Sequence, residues 1–209
     1  MMTKAQKRLQ KLFEVADSQQ GFFTAKQAER AGYLPTNFTY HVQNGGWIKE
    51  GWGIYRLRHF PASRESQYVQ LSLWSRNRAD TPQGVISHLT ALSLHEISDA
   101  NPSKIHMTMP TTFRRSAKTP KELVIHYSDL EERHIDKKIG YQITKPLKTL
   151  IDVFVSGLSL EHVEKGLHDA LKKALITPSE LKSPEIPHEL QTLFDQWIKD
   201  NRRARRVRA

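Results

Sequence analysis

The alternation of apolar and polar positions divides this chain into a succession of short elements. Over residues 3–18, Leu9, Leu12, Phe13 and Ala16 fall on one helical stripe with the lysines and Arg8 outward, so this helix is expected to pack beneath those that follow. Thr24 is placed to cap a helix running through Ala31, Gly32 offers a left-handed stop, and Pro35 opens a second helix from about residue 36 to 44. On that second helix Phe38 and Val42 lie four apart and share a face, with His41 beside them. Thr36, Asn37, Thr39, Tyr40 and Gln43 are left on the other face. Gly45 and Gly46 end the helix, and residues 47–50 and 54–57 read as two strands joined by Gly51, Trp52 and Gly53. The order of these elements predicts a winged helix-turn-helix.

Pro61 breaks from the hairpin, and a helix over about 64–77 follows, with Tyr68, Leu71 and Trp74 at helical spacing. A boundary there divides the chain into a winged helix-turn-helix of residues 1–60 and a mixed α/β domain of residues 61–209, an α+β protein overall. In the second part a helix opens at Ser87, a strand alternates over 104–109 with Ile105, Met107 and Met109 on one side, and residues 110–121 read as a surface loop. Further strands at 123–127 and 139–144 predict a small antiparallel sheet. Helices follow over 144–157 and from the Ser159 cap, then a short one from the capping box of Thr177 and Glu180. A last one after Pro187 carries Leu190, Leu193, Phe194 and Trp197 on its buried stripe.

Charge sharpens this division. The net +10 is carried by the two ends: residues 1–60 hold nine Lys/Arg against four Asp/Glu, residues 61–200 hold eighteen of each, and residues 201–209 hold five arginines and no acid. A basic reader domain and a basic tail suit a phosphate-binding chain. The absence of cysteine excludes disulfides and thiolate metal sites. With no long apolar run and no signal-like N-terminus, a cytoplasmic location is expected.

Amides and hydroxyls on a helix face suit base-edge reading, so Thr36, Asn37, Thr39, Tyr40 and Gln43 are the candidate base readers. Thr24, Lys26, Lys49, Trp52 and Arg56, on the first reader helix and the wing, are the candidates for the DNA backbone. The loop residues Arg114, Arg115, Lys118 and Lys121, with the tail residues Arg202, Arg203, Arg205, Arg206 and Arg208, form a candidate second basic patch. His88 and His95 would stand two turns apart on one helix, too far to share an ion, and His106 belongs to a strand, so no metal site or cofactor is expected. The acids Asp99, Glu122, Asp129, Glu131, Glu132 and Asp136 show no nuclease-like spacing with a lysine. Three functions stay open at this level: a sequence-specific repressor, a winged-helix-targeted DNA-processing enzyme such as a nuclease, and an RNA- or ribosome-binding protein.

The reader segment, followed by SHLTALSLHEISDANPSKIHMTMP and then TKPLKTLIDVF, resembles the AbiEi family, the antitoxins and autorepressors of type IV toxin-antitoxin abortive-infection systems. The resemblance runs over nearly the whole chain. It implies that residues 1–60 bind operator repeats in the protein's own promoter, and that the C-terminal domain counteracts a cognate nucleotidyltransferase-like toxin without needing a stable complex. It also implies that the chain is not itself an enzyme. The arginine-rich tail is a departure from the family pattern.

Overall fold

Thr3 closes a capping box with Gln6 and starts α1 (Lys4–Asp17) in the computed structural model, which describes residues 2–207 and side chains as far as Lys199. Leu12 and Ala16 are fully buried, but Leu9 is 54% and Phe13 49% exposed. The expected four-residue stripe is therefore half as wide. Phe13 leans on Phe60, 5.5 Å between ring centroids.

Thr24 forms a second capping box with Gln27 and begins α2 (Ala25–Arg30). Gly32, at φ +100°, turns the chain out of it. The second reader helix opens as a tight 3-10 turn (Pro35–Asn37) and becomes α-helical only at α3 (Phe38–Gln43), later than the sequence pattern implies. A strand absent from the sequence reading, β1 (Phe22–Thr24), pairs antiparallel with β3 (Ile54–Leu57), which pairs antiparallel with β2 (Trp47–Gly51). The resulting order β1-β3-β2 is that of a winged helix, with Phe23, Phe38, Trp47 and Tyr55 in ring contact at its centre.

Beyond the wing, α4 (Ser66–Trp74) is shorter than expected at both ends. A five-stranded sheet follows in the order β6-β5-β4-β8-β7, from β4 (Val85–Ile86), β5 (Ile105–Met109), β6 (Leu123–Tyr127), β7 (Ile135–Lys138) and β8 (Tyr141–Thr144). The expectation of an antiparallel sheet is corrected: β4–β8 and β5–β6 are parallel, and only β4–β5 and β7–β8 are antiparallel. Both parallel contacts need long connections, and the one between β4 and β8 contains α5 (His88–Leu94). On one face of the sheet Ile105, Met107 and Met109 join Val69, Leu71 and Trp74 of α4. On the other, His106 and Thr108 meet residues at the start of α5. Behind α5 stand α6 (Pro146–Val155), α7 (Leu160–Lys172) and α8 (His188–Val207), joined by a core that includes Leu92, Leu150, Leu167, Leu190 and Phe194. The capping box of Thr177 and Glu180 forms, but it supports only a 3-10 turn, Glu180–Lys182.

Pro61 lies in a stretch without regular structure, yet packing crosses it. Phe22 and Ile54 of the small sheet share a hydrophobic cluster with Val69, Trp74 and Ile86. Gln20 also donates to the carbonyl of Ile139, 2.9 Å.

Candidate nucleic-acid interface

Burial of Phe38 against the aromatic core fixes which way α3 turns. Val42 packs partly against the same core, and His41 stacks on Trp47 at 4.7 Å. Burial, with the nearby Arg8 charge, holds the His41 pKa below its usual value, so this ring is neutral at pH 7. With that side anchored, Thr36, Asn37, Thr39, Tyr40 and Gln43 are all exposed on the opposite side, Tyr40 at 60%. Among the described residues none of the five side chains makes a hydrogen bond. An unbonded row of one amide pair and three hydroxyls is chemically equipped to donate to and accept from base edges.

The wing is built to hold its shape. Gly51, Trp52 and Gly53 all lie at positive φ (+101°, +52° and +72°), which is costly for a tryptophan unless neighbours enforce it. They do: Arg76 donates from Nη2 to the Trp52 carbonyl at 2.8 Å, and the Ala25 N–H donates to the Gly53 carbonyl at 2.8 Å. The second bond ties the start of α2 to the wing.

Arg76 belongs to a buried knot absent from any sequence motif. Asp80, its carboxylate inaccessible, pairs with Arg76 (Nε–Oδ1 3.1 Å) and Arg30 (3.5 Å) and accepts from the Thr24 hydroxyl at 2.8 Å. Asp80 itself sits at φ +69°. Its partners lie 4, 50 and 56 positions away in the sequence, so no local spacing reveals them.

Two of the five backbone-contact candidates are corrected. Thr24 is fully buried, capping α2 and bonding to Asp80, and it has no route to a phosphate. Arg56, 14% exposed at its side chain, pairs with Glu50 at 2.9 Å and donates to the Phe60 carbonyl at 2.6 Å, which turns it along the sheet rather than outward. Lys26 is exposed and donates to the Arg78 carbonyl, while Lys49 projects from β2 and Trp52 sits exposed at the wing tip. The second basic patch is also thinned. Arg115 lies over the Trp74 ring at 5.2 Å and donates to the Arg76 carbonyl, and burial lowers its pKa from the usual arginine value. Arg114, Lys118 and Lys121 remain exposed. The α8 backbone carries Arg202, Arg203, Arg205 and Arg206, but their side chains, and Arg208 altogether, lie outside the described residues.

The histidines gather differently from their order in the sequence. His95 meets the Thr144 carbonyl at 2.7 Å, away from His88. His88 instead stacks on His126 at 3.5 Å, and His126 Nε2 meets His106 Nδ1 at 2.9 Å. Ser87 and Ser156 hydroxyls stand 2.8 and 3.0 Å from the two His88 nitrogens. Burial, then the His126 and His106 imidazoles, pushes His88 down to about 3, and burial, then His106, pushes His126 down to about 4. No group of three or more His, Asp or Glu suited to a metal ion occurs among the described residues. The acids are scattered: Asp99 is with Lys165, Asp129 with Thr111, and Glu132 with Lys137.

No helix among the described residues is long and apolar enough to cross a membrane. No curated protein matches the chain. Residues 10–58, from α1 to the end of the wing, match the family described as transcriptional regulator, AbiEi antitoxin. Over this winged-helix segment the chain is similar to the AbiEi antitoxin family of transcriptional regulators.

Proposed function

We propose that α3 enters the major groove of operator DNA in the protein's own promoter and reads it with Thr36, Asn37, Thr39, Tyr40 and Gln43. Lys26, Lys49 and Trp52 flank that helix and contact the backbone. The observation that carries this reading is the row of five exposed polar side chains, none hydrogen-bonded among the described residues, beside a wing held at fixed geometry. Residues 61–209 supply the antitoxin function against a nucleotidyltransferase-like toxin from the same operon. In support, this part of the chain is electrically balanced through residue 200, as a surface not dedicated to phosphate would be.

The test has two arms. Purified protein is titrated against DNA from upstream of its gene and against scrambled DNA of equal length, and the upstream DNA is expected to bind tighter by a factor of at least about 10³. Co-expression with the neighbouring reading frame is expected to restore growth that the neighbour alone arrests. Equal affinity for both DNAs removes the operator reading, and magnesium-dependent cutting of either DNA replaces it with a nuclease.

A further inference from the structure

The two edges of the five-stranded sheet are not alike. The β7 edge is Ile-Asp-Lys-Lys, three charged residues of four, of the kind that blocks pairing with another chain. The β6 edge is Leu-Val-Ile-His-Tyr, with no charge and no proline, and Tyr127 is 59% exposed at its end. The hydrogen bonds at either end of the ladder show which main-chain groups of β6 face outward. Ile105 donates to the Glu122 carbonyl at 2.7 Å, and Ser128 donates to the Met109 carbonyl at 3.0 Å. In a parallel ladder this alternation turns Val124 and His126 toward β5 and leaves the N–H and C=O of Ile125 and Tyr127, with the C=O of Leu123, on the open side. The Leu123 N–H closes a turn on Pro120.

We propose that β6 pairs antiparallel with β6 of a second copy of this chain, joining two five-stranded sheets into one of ten strands. A two-fold axis at Ile125 sets Ile125 opposite its own counterpart. Because both copies present outward N–H and C=O groups there, the two residues exchange both hydrogen bonds. Leu123 then faces Tyr127 of the second copy. Both are on the face that carries the Trp74 and Phe113 cluster, so the pairing extends an apolar layer already present.

Charge around the strand selects the second copy over an unrelated partner. Lys118 and Lys121 precede β6, and Asp129, Glu131 and Glu132 follow it. In the antiparallel arrangement the Lys118 and Lys121 end of one strand meets the Asp129, Glu131 and Glu132 end of the second copy. A parallel arrangement would bring like charges together instead. Asp129 is already held at this end by Thr111, whose N–H and hydroxyl donate to it at 3.0 and 2.6 Å.

The inference is independent of the DNA reading and is tested without DNA, by light scattering on the full chain after size exclusion. The expected mass is twice the 24.2 kDa of one chain. Ile125→Pro removes an outward N–H and leaves the β5 ladder untouched, and it is expected to halve the mass with an unchanged circular dichroism spectrum. Tyr127→Lys guards the edge from the side chain and is expected to do the same if the proline variant does not fold. Lys121→Glu is expected to weaken the dimer several-fold, and Lys121→Glu combined with Asp129→Lys to restore it. A mass of one chain at every concentration overturns the proposal. So does a dimer indifferent to all four changes, or a monomer whose β6 edge instead captures the neighbouring toxin.

Discussion

The polar residues of α3 and those beneath α5 are similar in kind and opposite in state. On α3 and the 3-10 turn that opens it, Thr36, Asn37, Thr39, Tyr40 and Gln43 stand in solvent with no hydrogen bond among the described residues. Beneath α5, Ser87, His88, His106 and Thr108 are buried, His126 is partly so, and each is bonded to another member of the group. A hydroxyl, amide or imidazole whose bonding capacity is already taken belongs to the interior and holds shape. One whose capacity is open is available to a ligand. Residue type alone does not separate the two; the packing of Phe38 on one side and of β5 on the other does.

If this distinction is right, disturbing a closed group costs stability and disturbing an open one costs recognition. The largest effect is expected at Asp80. Asp80→Ala leaves Arg76 half-buried without its carboxylate, and unfolding by denaturant is expected to show a loss of about 3 kcal/mol or more. No loss would mean the Asp80 knot contributes nothing to the closed class.

The histidines give the next effect, through pH. An unfolded chain takes up a proton on His88 near 6.5, whereas the folded protein keeps it neutral down to about 3. Between those values the unfolded state holds more protons. Stability is therefore complete above pH 6.5 and falls as the pH is lowered, by about 2 kcal/mol for His88 alone at about pH 5. The depressed pKa of His126 and of His106 acts in the same direction. Thermal unfolding followed from pH 7 to pH 5 reads this, and His88→Asn is expected to flatten the curve. A wild-type curve already flat would place these rings in contact with solvent.

Smaller changes are expected on the open side, and in binding rather than folding. Asn37→Ala and Gln43→Ala should each lower affinity for the upstream DNA by about 1–2 kcal/mol while leaving scrambled DNA and the unfolding midpoint as they were. Equal losses on both DNAs would make α3 a backbone contact. Least of all, Lys49→Ala should weaken binding to any sequence and reduce the slope of log affinity against log salt by about one unit. An unaltered slope would remove Lys49 from the phosphate contacts.

The winged-helix segment was the more legible part because its signals are local. Thr24 with Gln27, Gly32, Pro35 and the glycines around Trp52 each act within a few residues of themselves, and each fixes a start, a stop or a turn. Periodicity misplaced Leu9 and Phe13, since a helical stripe shows which residues align but not how much of it a neighbour covers. In the second half the decisive relations are distant. Strand β4 is two residues long, β7 is mostly charged, and the mixed sheet depends on which strands meet across crossovers. Thr24 and Arg56 read as phosphate contacts from their place on α2 and the wing; only the positions of Asp80 and Glu50 show that both are engaged.

The bond from Arg76 to the Trp52 carbonyl gives the wing a thermodynamic connection to the rest of the chain. Arg76 follows α4, whose core residues pack against the large sheet, and the carbonyl it holds keeps a tryptophan in a left-handed conformation. A partner of the second half that displaces the Asp80 loop, and with it Arg76, lets Trp52 relax and alters the free energy of DNA binding. Reciprocity then requires DNA to alter the affinity for that partner by the same factor, so the wing and the second half of the chain report on one equilibrium.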